Sequence, residues 1–212
     1  MIKAYLLDFD GTFGDTYYDL TSAANFIFKK YNKSSINFIL GREIASDGID
    51  AFLRLRFDRK EFDYKKLRLE FLEYYEKHIN DNFSYFDGIL DLIDNLEKNN
   101  LLWGIVTNKS RNLTQKILMN SNLLNRCPLL ICGDDGFKPK PSPDMLIHAL
   151  KILNLSCDEV IYVGDGCRDI EASKCAKIKS VIAAYGYLKS TDKYHDWGAD
   201  YIINHPDELK VS

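Results

Sequence analysis

Between residue 87 and the carboxyl terminus, short apolar runs alternate with segments of helical spacing, and few folds accept that order. Ile89, Leu92, Ile93 and Leu96 fall at i, i+3, i+4 and i+7, one face of a helix. The pattern then predicts a strand over 101–107, a helix over 112–124 and a short strand over 129–132. A helix over 143–153 follows, with Pro143 suited to its first turn. A strand over 159–163, a helix over 170–176, a strand over 181–185 and an edge strand over 201–203 complete the series. Such alternation predicts an α/β fold, a mostly parallel sheet with helices on both faces. The first strand lies far upstream, over 2–7, where Lys3 alone breaks an apolar run.

Residues 17–82 interrupt the series and read as helical throughout. Leu20, Ala23, Ala24, Ile27 and Phe28 mark a helical face over 17–31. Gly41 and Gly48 bracket a break, helical spacing resumes over 49–57, and a long helix rich in aromatics and charges is predicted over 61–80. Crossovers in α/β folds normally use one helix, so several here predict a separate all-helical subdomain. The domains expected are an α/β core of residues 1–15 and 83–212 and a helical insert of residues 16–82.

At 212 residues the chain can hold one core domain and a modest insertion, and its 46% hydrophobic content argues against disorder. The net charge is only −3 and no basic stripe is present, which argues against a nucleic-acid partner. No apolar run approaches transmembrane length, and Met1 leads into a strand rather than a signal peptide, so no membrane partner is expected. Five cysteines, odd in number and without Cys-x-x-Cys spacing, fit reduced thiols in a cytoplasmic protein.

Each predicted strand ends on a chemically pointed group. The first delivers Asp8-Phe9-Asp10-Gly11-Thr12 and the next Thr107-Asn108-Lys109. The third leads to Lys138-Pro139-Lys140-Pro141, and the fourth to Gly164-Asp165 with Asp169 beyond. Ligands of open α/β sheets bind at the carboxyl ends of the strands, so these groups are expected to converge on one crevice. The alternative for the first stretch is an ordinary acidic turn. Hard carboxylate oxygens suit Mg²⁺, and a cation with a lysine neutralises phosphate oxygens. A hydroxyl and free backbone N–H groups can cradle those oxygens. A carboxylate can attack phosphorus while a neighbouring acid protonates the leaving oxygen.

The Asp8-to-Thr12 stretch resembles the first motif of the haloacid-dehalogenase-like (HAD) phosphohydrolases. Thr107-Asn108-Lys109, Lys138 to Pro141 and Gly164-Asp165 to Asp169 resemble the second, third and fourth motifs, in the same order. The helical insert after the first motif resembles the C1-type cap of the phosphoglycolate phosphatase branch. Local stretches (residues 103–109, 185–187 and 197–200) resemble that branch and its N-acetylmuramic acid 6-phosphate phosphatases. The resemblance implies a Rossmann-like core and hydrolysis of a small phosphorylated metabolite. It implies Asp8 as nucleophile and Asp10 as general acid and then base. It also implies Gly11, Thr107, Asn108 and Lys138 around the phosphate, with Lys138 preferred over Lys140, which is expected to be a solvated loop lysine. Mg²⁺ is expected on the Asp8 carboxylate, the Asp10 backbone carbonyl and the Asp165 carboxylate. Asp169 is expected to orient the metal's waters or Lys138, or simply to cap the following helix.

The cap stretch Ser46-Asp47-Gly48 is expected either to contact substrate or to be a plain helix break. Lys109 either lies near the phosphate or faces water. Cys167, inside the fourth motif, is expected to be a bystander thiol, although a helix N-terminus could lower its pKa. The four histidines are scattered and fit no metal-ligand spacing. A monomer or homodimer is expected. A catalytically silent binding module on the same scaffold predicts at least one eroded motif, and none is eroded.

Overall fold

In the computed structural model, which describes residues 1–209, β1 (Ala4–Leu7) lies fully buried at the centre of the main sheet. It pairs in parallel with β4 (Leu102–Val106) on one side and β6 (Val160–Gly164) on the other. β5 (Leu130–Ile131) extends the sheet beyond β4, and β7 (Lys179–Ala183) and β8 (Tyr201–Ile203) extend it beyond β6. The order β5-β4-β1-β6-β7-β8 is parallel at every pairing described. Both faces of β1, β4 and β6 are covered, which is why those strands read as near-continuous apolar runs. The covering helices are α5 (Ile89–Lys98), α6 (Arg111–Asn120), α7 (Asp144–Leu153) and α8 (Cys167–Ala176). Ala4, Leu6, Val106, Met145, Leu146, Val160, Tyr162 and Ala172 share one buried cluster between sheet and helices.

The chain divides into two compact units. One comprises Met1–Gly14 and the chain from Tyr85 onward; the other is Asp15–Ser84. The short strands β2 (Gly14–Asp15) and β3 (Ser84–Tyr85) pair where the chain leaves the sheet unit and returns to it.

Within the second unit, α1 (Tyr17–Lys30) buries Leu20, Ala23, Ala24, Ile27 and Phe28 against α2 (Phe38–Ala45), α3 (Ile49–Arg54) and α4 (Tyr64–Lys77). The unit therefore has one helix more than the sequence pattern predicts. Gly41 is the reason. It lies inside α2, where an added Cβ would sit 1.9 Å from Thr21 Oγ1. Here glycine lets two helices approach closely and does not mark a break. Asn37 starts α2 by accepting from Leu40 N–H at 2.8 Å, and Asp63 starts α4 in the same way. The break at residues 46–48 is present: Ser46 ends α2, and Gly48, at φ +77°, precedes α3.

Candidate active site

β4, β1 and β6 are neighbours in register, with Leu7 opposite both Ile105 and Val163. β4 and β6 run one residue further than β1, so Asp8, Thr107 and Asp165 leave the sheet within one residue of one another. The strand order also reverses at β1, and that is where an open α/β sheet forms its crevice.

Asp8 is buried, at 2% exposure. Its Oδ1 accepts from Phe9 N–H at 2.7 Å and meets Lys140 Nζ at 2.8 Å, while its Oδ2 lies 4.0 Å from Arg168 Nη2. Burial alone pushes the carboxyl up. The charges of Lys140 and Arg168, with the Lys140 and Phe9 hydrogen bonds, overcome this and hold it below the usual carboxylate range. Asp8 is thus an oriented anion at neutral pH.

The lysine at Asp8 is Lys140, which corrects the sequence-based choice of Lys138. Lys138 is exposed, whereas Lys140 is buried and also meets Asp169 Oδ1 at 2.7 Å and Tyr162 OH at 2.6 Å. The physical reason lies in Asn108. Its Oδ1 accepts from Lys140 N–H at 2.9 Å and its Nδ2 donates to Lys140 O at 3.0 Å. Asn108 thus fixes the main chain on both sides of the Lys140 Cα, with the Lys140 side chain directed at Asp8 and Asp169. The Asn108 side chain, expected on phosphate, is engaged in this clamp.

Thr107 Oγ1 accepts from Lys109 N–H at 3.2 Å. Lys109 neither faces water nor sits alone: its side chain is 4% exposed and its ammonium meets both Asp10 carboxylate oxygens at 3.0 and 3.3 Å. Asp165 is buried and its Oδ2 accepts from Tyr187 N–H at 2.9 Å. Gly11, at φ +87°, passes so close that a Cβ there would lie 2.0 Å from Asp165 Oδ2. Asp169 Oδ2 accepts from Gly166 N–H at 2.9 Å and so caps α8, while its Oδ1 meets Lys140, not the Lys138 expected from the sequence.

Two participants escape the motif reading. Tyr162 lies fully buried in mid-strand, and its hydroxyl donates to Val106 O at 2.7 Å while accepting from Lys140. A tyrosine within an apolar strand is itself the sequence signal, because its hydroxyl needs a buried partner. Arg168 is the second, in the first turn of α8 where acids are favoured over cations. Cys167, beside it, is pushed up by burial and by its contact with Glu171 at 3.4 Å, so the helix start does not activate it.

One oxygen from each of Asp8, Asp165 and Asp169 lies within 4.8 Å of the others, all three side chains buried. A set of hard carboxylate oxygens this concentrated fits a divalent cation. Asp169 is already held by Lys140 and the α8 cap, which leaves Asp8 and Asp165 as the better placed ligands. Among the described residues no helix is long and apolar enough to cross a membrane.

Comparison with known proteins agrees with this geometry. A family model described as haloacid dehalogenase-like hydrolase matches residues 5–183. An N-acetylmuramic acid 6-phosphate phosphatase from Pseudomonas putida is 36% identical over 211 residues, covering 99% of this chain and 95% of that protein. A phosphoglycolate phosphatase from Xanthomonas campestris pv. campestris is 33% identical over 208 residues, covering 98% and 94%. The solved structure of a haloacid dehalogenase-like family hydrolase from Streptococcus pneumoniae superposes with a TM-score of 0.87 at 20% identity, covering 98% and 96%. CbbY from Rhodobacter sphaeroides, solved in complex with phosphate, gives 0.80 at 21%, covering 99% and 96%. The chain belongs to the haloacid dehalogenase-like hydrolase family.

Proposed function

We propose that this protein is a cytoplasmic phosphatase that hydrolyses a small phosphomonoester through an aspartyl-phosphate on Asp8, with Mg²⁺ as cofactor. The observation that carries the reading is the state of Asp8. It is buried, ionised and oriented by Phe9 N–H and Lys140, with a second acid two residues on. An Asp8 oxygen attacks phosphorus, the bond to the ester oxygen breaks, and the departing alkoxide takes a proton from the Asp10 carboxyl. Asp10, now a carboxylate, removes a proton from the water that attacks the acyl phosphate. Inorganic phosphate leaves and Asp8 is restored. Lys109, in contact with both Asp10 oxygens, positions that carboxylate. Lys140 holds the nucleophile against Asp169, and Thr107 and the backbone N–H groups around Gly11 would receive phosphate oxygens. The Asp8 and Asp165 carboxylates and the Asp10 main-chain carbonyl would hold Mg²⁺. Bound there it would neutralise charge on the phosphate.

Phosphoglycolate and N-acetylmuramic acid 6-phosphate are the two candidate substrates, since relatives at 33% and 36% identity carry those names. The choice between them is assigned to the helical unit, with Ser46, Asp47 and Gly48 as candidate contacts. Phosphate release from both compounds and from p-nitrophenyl phosphate, with and without Mg²⁺, tests the reading. Asp8→Asn is expected to abolish release from all three. Undiminished turnover in that variant sinks the mechanism.

A further inference from the structure

We propose that Tyr185-Gly186-Tyr187, the turn that follows β7, is the positioning element of the divalent-cation site, a proposal that rests on the phosphatase reading above. The turn ties together two of the three cation donors named there, the Asp165 carboxylate and the main chain at Asp10. It lies outside all four motifs.

The sheet order makes this turn a bridge. β6 separates β7 from β1, so a segment leaving β7 must pass the end of β6 to reach the chain that follows β1. Asp165 stands at that end. The base of the turn is fixed by Ala184 N–H, which donates to Ile203 O of β8 at 2.8 Å, and by Gly186 N–H, which donates to Ala183 O at 3.0 Å. Tyr187 N–H donates to Asp165 Oδ2 at 2.9 Å and sets the rotation of that carboxylate. Tyr185 OH reaches further and donates to Thr12 O at 3.1 Å, two residues past Asp10.

Gly186 is what allows the close approach. An added Cβ there would lie 2.2 Å from Gly11 O and 2.5 Å from Asp165 Cβ. One is a main-chain oxygen and the other a carbon bonded to the main chain, so neither can swing aside. From the opposite side, a Cβ at Gly11 would lie 2.0 Å from Asp165 Oδ2 and 2.8 Å from Tyr187 Cδ2. The turn, the Gly11 backbone and the Asp165 side chain therefore form one packed contact. Phe86 backs both tyrosines, its ring centroid 5.2 Å from that of Tyr185 and 5.9 Å from that of Tyr187. A phenylalanine at 185 would keep that packing; the hydroxyl adds the bond to Thr12 O.

A positioning role and a merely structural one differ in how they treat two ions. Mg²⁺ demands near-octahedral geometry at about 2.0–2.1 Å, whereas Ca²⁺ accepts looser arrangements at about 2.3–2.6 Å. Displacing Asp165 relative to the Asp10 carbonyl therefore penalises Mg²⁺ more than Ca²⁺, while a general loss of stability weakens both alike. Calorimetric titration of each ion into the full-length wild type, Tyr185→Phe and Gly186→Ala, without substrate, tests the assignment. Thermal midpoints and phosphate release are measured alongside.

Losing an outer partner of a metal ligand costs about 10–100-fold in affinity. Gly186→Ala is expected to bind Mg²⁺ at least about tenfold more weakly, with a smaller loss for Ca²⁺. Tyr185→Phe is expected to lose about threefold to tenfold in Mg²⁺ affinity, to keep a thermal midpoint within about 4 °C of wild type, and to regain kcat at saturating Mg²⁺. Should Gly186→Ala fail to fold, Tyr185→Phe decides alone. Wild-type affinity for both ions in Tyr185→Phe, or losses equal for Mg²⁺ and Ca²⁺, overturns the assignment and leaves the phosphatase reading intact. If the ions bind as expected yet wild type releases no phosphate from any ester, the phosphatase reading fails and the positioning assignment holds. Wild type that binds no Mg²⁺ overturns both.

Discussion

Replacing Lys140 by methionine keeps most of the side-chain length and removes the charge that two buried carboxylates share. Asp8 and Asp169 are 3% and 0% exposed at the side chain, so solvent cannot take over the role of the ammonium. Breaking a buried ion pair from one side costs about 3–5 kcal/mol, because the other charge stays buried. Against a total stability of roughly 5–15 kcal/mol that loss is large. At about 2–4 °C per kcal/mol for a chain of this size, the thermal midpoint should fall by roughly 6–20 °C at pH 7. The pH dependence gives an independent check. Asp8 has a folded pKa below its unfolded value, so its stabilising contribution is present above the unfolded value and lost as pH falls through the folded one. Lys140 is a cause of that lowering, and the gap between wild type and Lys140→Met should therefore narrow as pH falls below about 4. Lys138→Met, on the exposed side of the same loop, should stay within about 0.5 kcal/mol of wild type. Thermal melts at pH 7 and pH 3, with phosphate release at pH 7, decide the matter. A Lys138→Met enzyme that is inactive, beside a Lys140→Met enzyme of normal stability and turnover, refutes the reasoning.

Two further substitutions test the scaffold around the acids. Asn108→Ala removes both hydrogen bonds to the Lys140 peptide and should cost about 1–3 kcal/mol in chemical denaturation while lowering kcat; unchanged kcat would mean that the clamp does not position Lys140. Gly11→Ala drives a methyl group to within 2.0 Å of Asp165 Oδ2 at a backbone φ of +87°, so Mg²⁺ affinity measured by titration should fall about tenfold or more, and an unaltered affinity would remove Asp165 from the cation site.

The apolar runs and helical spacings made the sheet legible because each strand is buried on both faces and needs no partner residue to identify it. The nearness of Asp8, Thr107 and Asp165 at neighbouring strand ends was legible for the same reason. Acids, hydroxyls and lysines at strand ends are recognisable by position, since the parallel order brings those ends together. Two features depended on contacts that no spacing encodes. Lys138 and Lys140 differ only in which of them the Asn108 side chain clamps, from 32 residues away along the chain. Gly41 and Gly48 look alike in sequence, yet one fits against Thr21 across a helix interface and the other starts a new helix in a left-handed conformation. Asn37, the residue that caps α2, was the available sign that Gly41 belonged inside a helix.

The charge balance of the site explains why its cations are arranged as they are. Four carboxylates, Asp8, Asp10, Asp165 and Asp169, stand beside three cations, Lys109, Lys140 and Arg168. With all four ionised the surplus is one negative charge, and with Asp10 carrying the proton it gives to the leaving group the sum is zero, in surroundings where charges are weakly screened. In either state a phosphomonoester dianion meets no net attraction from these side chains until a divalent cation supplies positive charge. Each lysine is directed at a carboxylate, Lys140 at Asp8 and Asp169 and Lys109 at Asp10. They organise the acids more than they attract the substrate. Attraction is then left to the divalent cation proposed on Asp8 and Asp165. Gly11 fits the same proposal, because a side chain there would fill the space against the Asp165 carboxylate that such a cation would need.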